Sequence, residues 1–434
     1  VSIDLDEVAR NLSQTDGVRV TGRLRGVLGS VLSIDLPDAR VGELVEIQRS
    51  RAPVPLLGEI VGFDDKGVKV LPLGAAEGLG PDDVVVAVRK PLAVKVGPSL
   101  LGRVLDGLGN PIDGGPAVDG TLRIVDRLGP TPMSRRRIEN VLPLGVRALD
   151  AFMTVGEGQR MGLFAAAGVG KSTLLGQIAQ GTTADAVVLC LIGERGRELQ
   201  DFLEDHLGER GRARSVVVCA TSDAPAMVRM KCVSVATTIA ESFRDEGKRV
   251  LLLVDSLTRF ARAAREVGLA TGETPVRRGF PTSVFARLPM LIERAGTAEI
   301  GSITAFYTVL VEADDHDEPI SDELKGLLDG HVVLSRKLAS RGRFPAIDVP
   351  QSLSRLMPRL VSPEHRVAAA NAREHLALYE EQREMVLLGA YRKGTDPRVD
   401  AAIAAQPSIE AFVVQAEHER AEFEDTKVTL CMLN

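Results

Sequence analysis

Residues 160–173, RMGLFAAAGVGKST, constrain the fold of this chain more than any other stretch. An apolar strand, Met161 to Phe164, runs into a small-residue loop that ends in Gly168-Val169-Gly170-Lys171-Ser172-Thr173. Leu174-Leu175 then opens a helix. Strand, small-residue loop and helix in that order make a phosphate cradle. Backbone N–H groups free of bulky neighbours curl around an anion, and the helix N-terminus adds partial positive charge. The pattern places Gly168 to Thr173 around nucleotide phosphates, Lys171 on the β- and γ-phosphates, and the Ser172 hydroxyl on Mg2+. Ala165 stands where the usual G-x-x-x-x-G-K-[ST] pattern begins, and its methyl group still permits most turn conformations.

The rest of the 434 residues must supply a scaffold for that loop, and the length suits two or three domains. A net charge of −6, 3% aromatics and no Trp argue against nucleic acid as the main ligand, because stacking platforms and basic surface are scarce. Cys190, Cys219, Cys232 and Cys431 show no C-x-x-C spacing and read as small core residues of a reducing compartment. The first thirty residues carry Asp4, Asp6 and Glu7 without an apolar core, so no secretory signal is expected. No run approaches the ~20 apolar residues of a membrane span, and the expected location is the cytoplasm.

Leu5 to Leu12 form a short amphipathic piece that reads as a terminus or a docking segment. From Val18 to Arg89, short β runs (VRVTG, SVLSIDL, ELVEIQ, LLGEIVGF, VKVLPL, DVVVAVR) are parted by Gly, Pro or Asp turns. That spacing predicts a small closed β-barrel concerned with assembly. Residues 94–159 are a Gly/Pro-rich connector whose acid-rich turns read as structural loops. After the phosphate loop, apolar runs at Val187–Ile192, Ser215–Ala220, Val250–Val254, Ile303–Val311 and His331–Ser335 alternate with helical patterns. Nearly continuous apolar strands between helices imply a parallel sheet covered on both faces, with ligands beyond the strands' carboxyl ends.

Chemistry-bearing residues gather at those ends. Glu194 follows VVLCLIG, where a carboxylate beside a nucleotide can polarise an attacking water, or can simply complement a helix dipole. Asp255 ends RVLLLVDS and completes the second nucleotide signature, a carboxylate for the Mg2+ shell. Arg259, Arg262, Arg265, Arg277 and Arg278 read by default as a solvated helix face, with a subunit surface as the alternative. Phe344 precedes Pro345 on a rigid extended stretch and could serve as core or stack on adenine; Arg355 lies in a polar patch. Ser362-Pro363 caps a helix running to about Leu388, Asp396-Pro397 starts a second, and residues 408–424 are expected to form a third. The end, KVTLCMLN, carries no reading of its own.

Taken together, the blocks GRVLDGLGNPID, GEGQRMGLFAAAGVGKSTLL, LIGERGREL, ATSDAPA, GKRVLLLVDSLTRFARAAREVGLA, GSITAFYTVLVEADD, LLDGHVVLSRKLASRGRFPAIDV and SLSRLM resemble the rotary-type hexameric ATPases over roughly residues 18–420. They look most like the type III secretion ATPases of the injectisome branch, with the flagellar export ATPase as the nearest alternative. The resemblance implies an α/β fold with three parts. Residues 1–93 would be the oligomerisation barrel, 94–361 a RecA-like ATPase domain with a mainly parallel sheet, and 362–434 a helical domain.

The resemblance also implies roles. Glu194 matches the catalytic carboxylate, Arg195 the arginine beside it, Asp255 the second-signature Asp, and Phe344 an aromatic packing on adenine. Arg355 matches an arginine finger acting on the neighbouring subunit's nucleotide. The substrate and cofactor implied are ATP and Mg2+. The partners implied are further copies of the chain in a homohexamer, stator and central-stalk proteins, chaperone–effector complexes, and the export apparatus at the cytoplasmic face of the inner membrane.

Ala166, Ala167, Ala313, Thr274 and Val276 depart from the family pattern, and none of them removes a catalytic group. Two rivals share the core fold. A non-hydrolysing nucleotide-binding subunit usually lacks the carboxylate at Glu194, and an RNA translocase suits neither the charge nor the missing aromatics.

Overall fold

Between Thr21 and Pro91 the alternating β runs pair antiparallel and close on themselves. The computed structural model describes residues 19–50, 52–81, 83–311 and 318–433. The amphipathic piece at Leu5 to Leu12 and the family departure at Ala313 lie outside the described residues. The strands are β1 (Thr21–Leu28), β2 (Val31–Asp35), β3 (Glu43–Gln48), β4 (Leu56–Asp64), β5 (Gly67–Pro72) and β6 (Val84–Pro91), arranged β1-β2-β5-β4-β3-β6 in a closed barrel. Alternate residues point inward, so Leu32, Ile34, Val45, Ile47, Val68 and Val70 fill the interior. The first strand begins at Thr21 and runs on to Leu28, later than VRVTG suggested. Only Leu24 along it is buried, so the strand carries no alternating signal.

The connector is more ordered than its Gly and Pro content implied. β7 (Ala93–Val96) pairs with β9 (Thr121–Ile124), and between them β8 (Val104–Asp106) joins the edge of the main sheet. Its acids are spent on turns. Asp106 accepts the N–H groups of Leu108 and Asn110, both at 2.9 Å. Asp113 holds Arg103 through two 2.8 Å bonds, and that partnership lowers its carboxyl far below the usual range.

The main sheet adds β10 (Arg160–Ala165), β11 (Ala186–Glu194), β12 (Ser215–Thr221), β13 (Arg249–Asp255), β14 (Gly296–Thr297), β15 (Ser302–Leu310), β16 (Gly330–Leu334) and β17 (Leu353–Ser354). Their order is β17-β16-β10-β15-β13-β11-β12-β8, with β14 paired to β15; β14 and β17 run antiparallel and the rest parallel. Strand β11 shows why its apolar run is unbroken. Val187, Leu189 and Leu191 face α1 (Lys171–Gly181), while Val188, Cys190 and Ile192 face the opposite layer. α2 (Gly196–Asp201) follows β11. The opposite layer is built from α3 (Ala226–Asp245) and α4 (Leu257–Ala270). Helices on both faces force both sets of side chains to be apolar.

At the C-terminal end, Ser362 caps α5 (Pro363–Leu387) by accepting the His365 N–H, and Gly389 ends it with a φ of 69°. Asp396 caps α6 (Pro397–Val413). The separate helix expected over 408–424 does not form. α6 continues through Pro407 because Ile409, Phe412 and Val413 are buried on its far side, and the next helix, α7, is Phe423–Met432. The KVTLCMLN stretch therefore has a structural role, with Leu430 fully buried. No helix among the described residues is long and apolar enough to cross a membrane.

Candidate active site

Strands β10, β15 and β16 end level with one another, Ala165 standing beside Leu310 and Leu334. The phosphate loop leaves the sheet at that edge. Gly168 and Gly170 take φ values of 78° and 86°, left-handed conformations that a side chain would strain. α1 starts directly at Lys171, and no side chain caps its first turn. An N-terminus left uncapped at the end of a small-residue loop is what a bound phosphate requires, so the cradle fits the nucleotide.

Around the loop the neighbouring strand ends supply charge. Asp255 is buried at the end of β13, and Thr308 Oγ1 donates to its Oδ1 at 2.7 Å. Lys171 Nζ contacts both oxygens of Asp255 and stands 3.8 Å from Glu194 Oε1. Ser172, Glu194, Glu198, Phe202, His206 and Asp255 line one cavity of about 170 Å3. A hydroxyl and a carboxylate facing one small cavity are suitable oxygen donors for a hard divalent cation.

Glu194 is the most perturbed of the group. Burial pushes its pKa up to about 7; a hydrogen bond with Glu198 and the Asp255 charge add to the rise, against Lys171 and Arg259. Glu198 shifts the opposite way, first through its hydrogen bond with Glu194.

Lys171, Ser172, Glu194 and Asp255 are thus brought together. Val169 is buried beneath the loop, and Thr173 is half-buried in the first turn of α1. Arg195 is not part of the cluster: its side chain is 81% exposed and lies 3.5 Å from Glu198. Phe344 packs its ring against the loop, since a Cβ placed on Gly170 would meet the ring at 3.4 Å. The backbone of Phe344 is held from the C-terminal side, its carbonyl accepting the Gln415 N–H at 3.0 Å.

Arg355 sits elsewhere. It follows β17, which pairs Ser354 with Gly330 at the start of β16. The phosphate loop lies beyond the other end of that strand, level with Leu334. Four strand residues span about 13 Å, so the guanidinium is at the opposite edge of the sheet from the loop of its own chain. It is exposed there and donates to the Lys325 carbonyl at 3.1 Å.

One arginine departs from the expected solvated face. Arg259 Nη1 lies 3.1 Å from Glu194 Oε1 and also reaches the Gly193 carbonyl. Ser256 caps α4 by accepting the Arg259 N–H at 3.3 Å, which fixes the first turn beside Glu194. Its position four residues past Asp255, in a first helical turn beside a strand end, was the available signal. Arg277 does behave as a surface residue, pairing with Asp322 at 3.1 Å. Thr308 and His206 carried no sequence signal, because contacts from distant strands and turns place them.

Comparison with known proteins fixes the lineage of this arrangement. Residues 145–354 match the nucleotide-binding domain of the ATP synthase alpha/beta family, and residues 361–431 match the T3SS EscN ATPase C-terminal domain. The type 3 secretion system ATPase of Sinorhizobium fredii is 50% identical over 408 residues, 94% of this chain and 90% of that protein. The chain belongs to the type III secretion ATPase family. As a member of that family it is an ATP-hydrolysing enzyme of protein export.

The assembled ATPase EscN of enteropathogenic E. coli superposes with a TM-score of 0.89 at 44% identity, over 95% of this chain and 99% of that one. EscN is also known in complex with its central stalk EscO. A flagellum-specific ATP synthase of Treponema pallidum is 48% identical over 423 residues, 97% of this chain and 95% of that protein, so the flagellar branch is related as well. The barrel, parallel sheet and C-terminal helices expected of the family are all present. The match also runs to residue 431, past the last block legible in the sequence.

Proposed function

We propose that this type III secretion ATPase hydrolyses MgATP at sites shared between adjacent copies in a homohexamer, and that Glu194 positions the attacking water. The observation that carries the reading is the convergence of Ser172, Glu194 and Asp255 on one small cavity at the phosphate loop, with Lys171 paired to both carboxylates and Arg355 at the far edge of the sheet. Ser172 and Asp255 would hold Mg2+, which when bound neutralises charge on the β- and γ-phosphate oxygens.

Each protein group then has a task. The backbone of Gly168 to Thr173 cradles the phosphates, and Lys171 neutralises the charge that builds on the γ-phosphoryl group. Phe344 offers its ring to the adenine. Glu194, ionised, accepts a hydrogen bond from the water and aligns it for attack. Its raised pKa of about 7 leaves it basic enough to take the proton near neutral pH.

Arg355 is too far from its own loop to serve it, so it would complete the site of the next copy. Head-to-tail pairing of that kind closes into a ring, and an arginine supplied in trans is worth ~10³–10⁵ in rate in GTPase systems. Arg195, exposed beside Glu198, would act only in that shared interface. Residues 1–93 would form the oligomerising barrel, 94–361 the ATPase domain and 362–434 the helical domain.

EscN's complex with a central stalk supports a stalk partner seated on this ring. By the same family reasoning the ring sits at the cytoplasmic face of the inner membrane. There it would be anchored by stator proteins, take up chaperone–effector complexes and pass effectors to the export apparatus.

The test is Glu194→Gln. Because the amide keeps the shape and loses the base, ATP binding should match the wild type while turnover falls ~10²–10⁴-fold. Hydrolysis near the wild-type rate would remove Glu194 from the role.

A further inference from the structure

The helical stretch that follows Glu194 meets the active site at one end and the C-terminal segment at the other. At the near end, Glu198 in α2 lines the same small cavity as Glu194. At the far end, α2 passes without a break into a π turn, Phe202–Leu207, which contains His206. Such turns are rare and cluster at functional positions.

His206 lines the cavity that holds Ser172, Glu194 and Asp255, and its Nδ1 lies 2.5 Å from Glu417 Oε1. Its carbonyl accepts Gln180 Nε2 of α1 at 2.6 Å. Gly176 of α1 presses on the same oxygen so closely that a Cβ there would stand 2.6 Å away.

Glu417 belongs to the turn between α6 and α7, and that turn is fastened to the nucleotide side at several further points. Ala416 accepts Gln177 Nε2 at 3.0 Å, Arg420 Nη2 donates to Gln180 Oε1 at 3.2 Å, and Gln415 N–H reaches the Phe344 carbonyl. The same turn therefore touches the phosphate-loop helix, the aromatic beside the loop, and the far end of the helix that carries Glu198.

We propose that His206 is a positioning residue and that the His206–Glu417 pair is a latch. Through it the C-terminal segment sets the placement of α2, and with it where the Glu198 carboxylate stands against Glu194 in their shared cavity. The proposal rests on the reading of Glu194 as the water-positioning carboxylate. Neither latch residue needs to touch the nucleotide. Shifting α2 should therefore change the chemical step and leave ATP binding nearly as it is.

Steady-state kinetics of the full-length assembled enzyme test this with His206→Ala, Glu417→Ala, the double variant, and Glu417→Gln. Glu417→Gln keeps an oxygen to accept from the imidazole N–H. Each alanine variant should lose between about tenfold and a hundredfold in kcat, the range for a small misplacement of a reacting group, with KM for ATP nearly unchanged. The double variant should be no worse than the more impaired single variant, and Glu417→Gln should recover most of the loss.

Three results would each overturn the latch: unaltered kcat in the single variants, losses that multiply in the double variant, or a kcat deficit that follows loss of folded protein on melting and is not recovered by Glu417→Gln. Failure of the underlying reading looks different, because Glu194→Gln would then itself keep turning over.

Discussion

Replacing Arg259 by Ala should move the pH dependence of catalysis in a direction and by an amount that the geometry supplies. The guanidinium stands 3.1 Å from Glu194 Oε1 and favours the ionised carboxylate. Even with the dielectric of water, Coulomb's law at that separation gives ~1.3 kcal/mol, or about one pKa unit. With Arg259 present the Glu194 pKa is pushed up to about 7, so removing the guanidinium should carry it to about 8. At about pH 7.5 the ionised fraction then falls from about three quarters to about one quarter, a roughly threefold loss, while at about pH 9 the two enzymes differ by only about a tenth. The assay is kcat/KM for ATP against pH, because that ratio reports the groups of the free enzyme. Arg259→Lys should keep most of the wild-type profile. A loss of equal size at every pH, or an acid limb that stays where it was, would refute the argument that Arg259 acts by holding Glu194 ionised.

Phe344→Ala should raise KM for ATP by about 5- to 150-fold, the worth of ~1–3 kcal/mol for a stacked base, with kcat changed much less; nucleotide titration and initial rates separate the two. Leu430→Ala should cost ~2–5 kcal/mol of stability, since the side chain is fully buried against the C-terminal helices, and denaturant unfolding of the purified chain measures it.

Much of this fold could be read from the chain because its signals are local. The barrel strands announce themselves by alternation wherever one face is buried, as at Leu32 and Ile34, and fail to do so in β1, where only Leu24 is buried. The phosphate loop was legible because glycine is demanded where φ is positive, at Gly168 and Gly170. Glu194 and Asp255 were legible because parallel strands deliver their last residues to one edge.

What escaped depended on distant partners. Arg259 lies on a helix rich in arginine, and only its place four residues past Asp255 sets it apart from a solvated residue until β11 delivers Glu194 beside it. α6 keeps its course through Pro407 because tertiary burial of Phe412 and Val413 outweighs the local preference to stop. β8 was hidden in the connector, as a three-residue strand on a sheet edge has too few residues for a pattern. His206 and Glu417 are 211 residues apart, and only the folded chain makes them neighbours.

The central claim is that hydrolysis takes two adjacent copies, one holding the triphosphate at Lys171 and the other lending Arg355. Mixing Arg355→Ala with Lys171→Ala, each inactive alone, tests it most directly. In randomly mixed rings about one interface in four joins an intact loop to an intact arginine, so turnover should rise towards roughly a quarter of wild type. No recovery in rings shown to contain both variants, or full activity from Arg355→Ala by itself, would contradict the shared site.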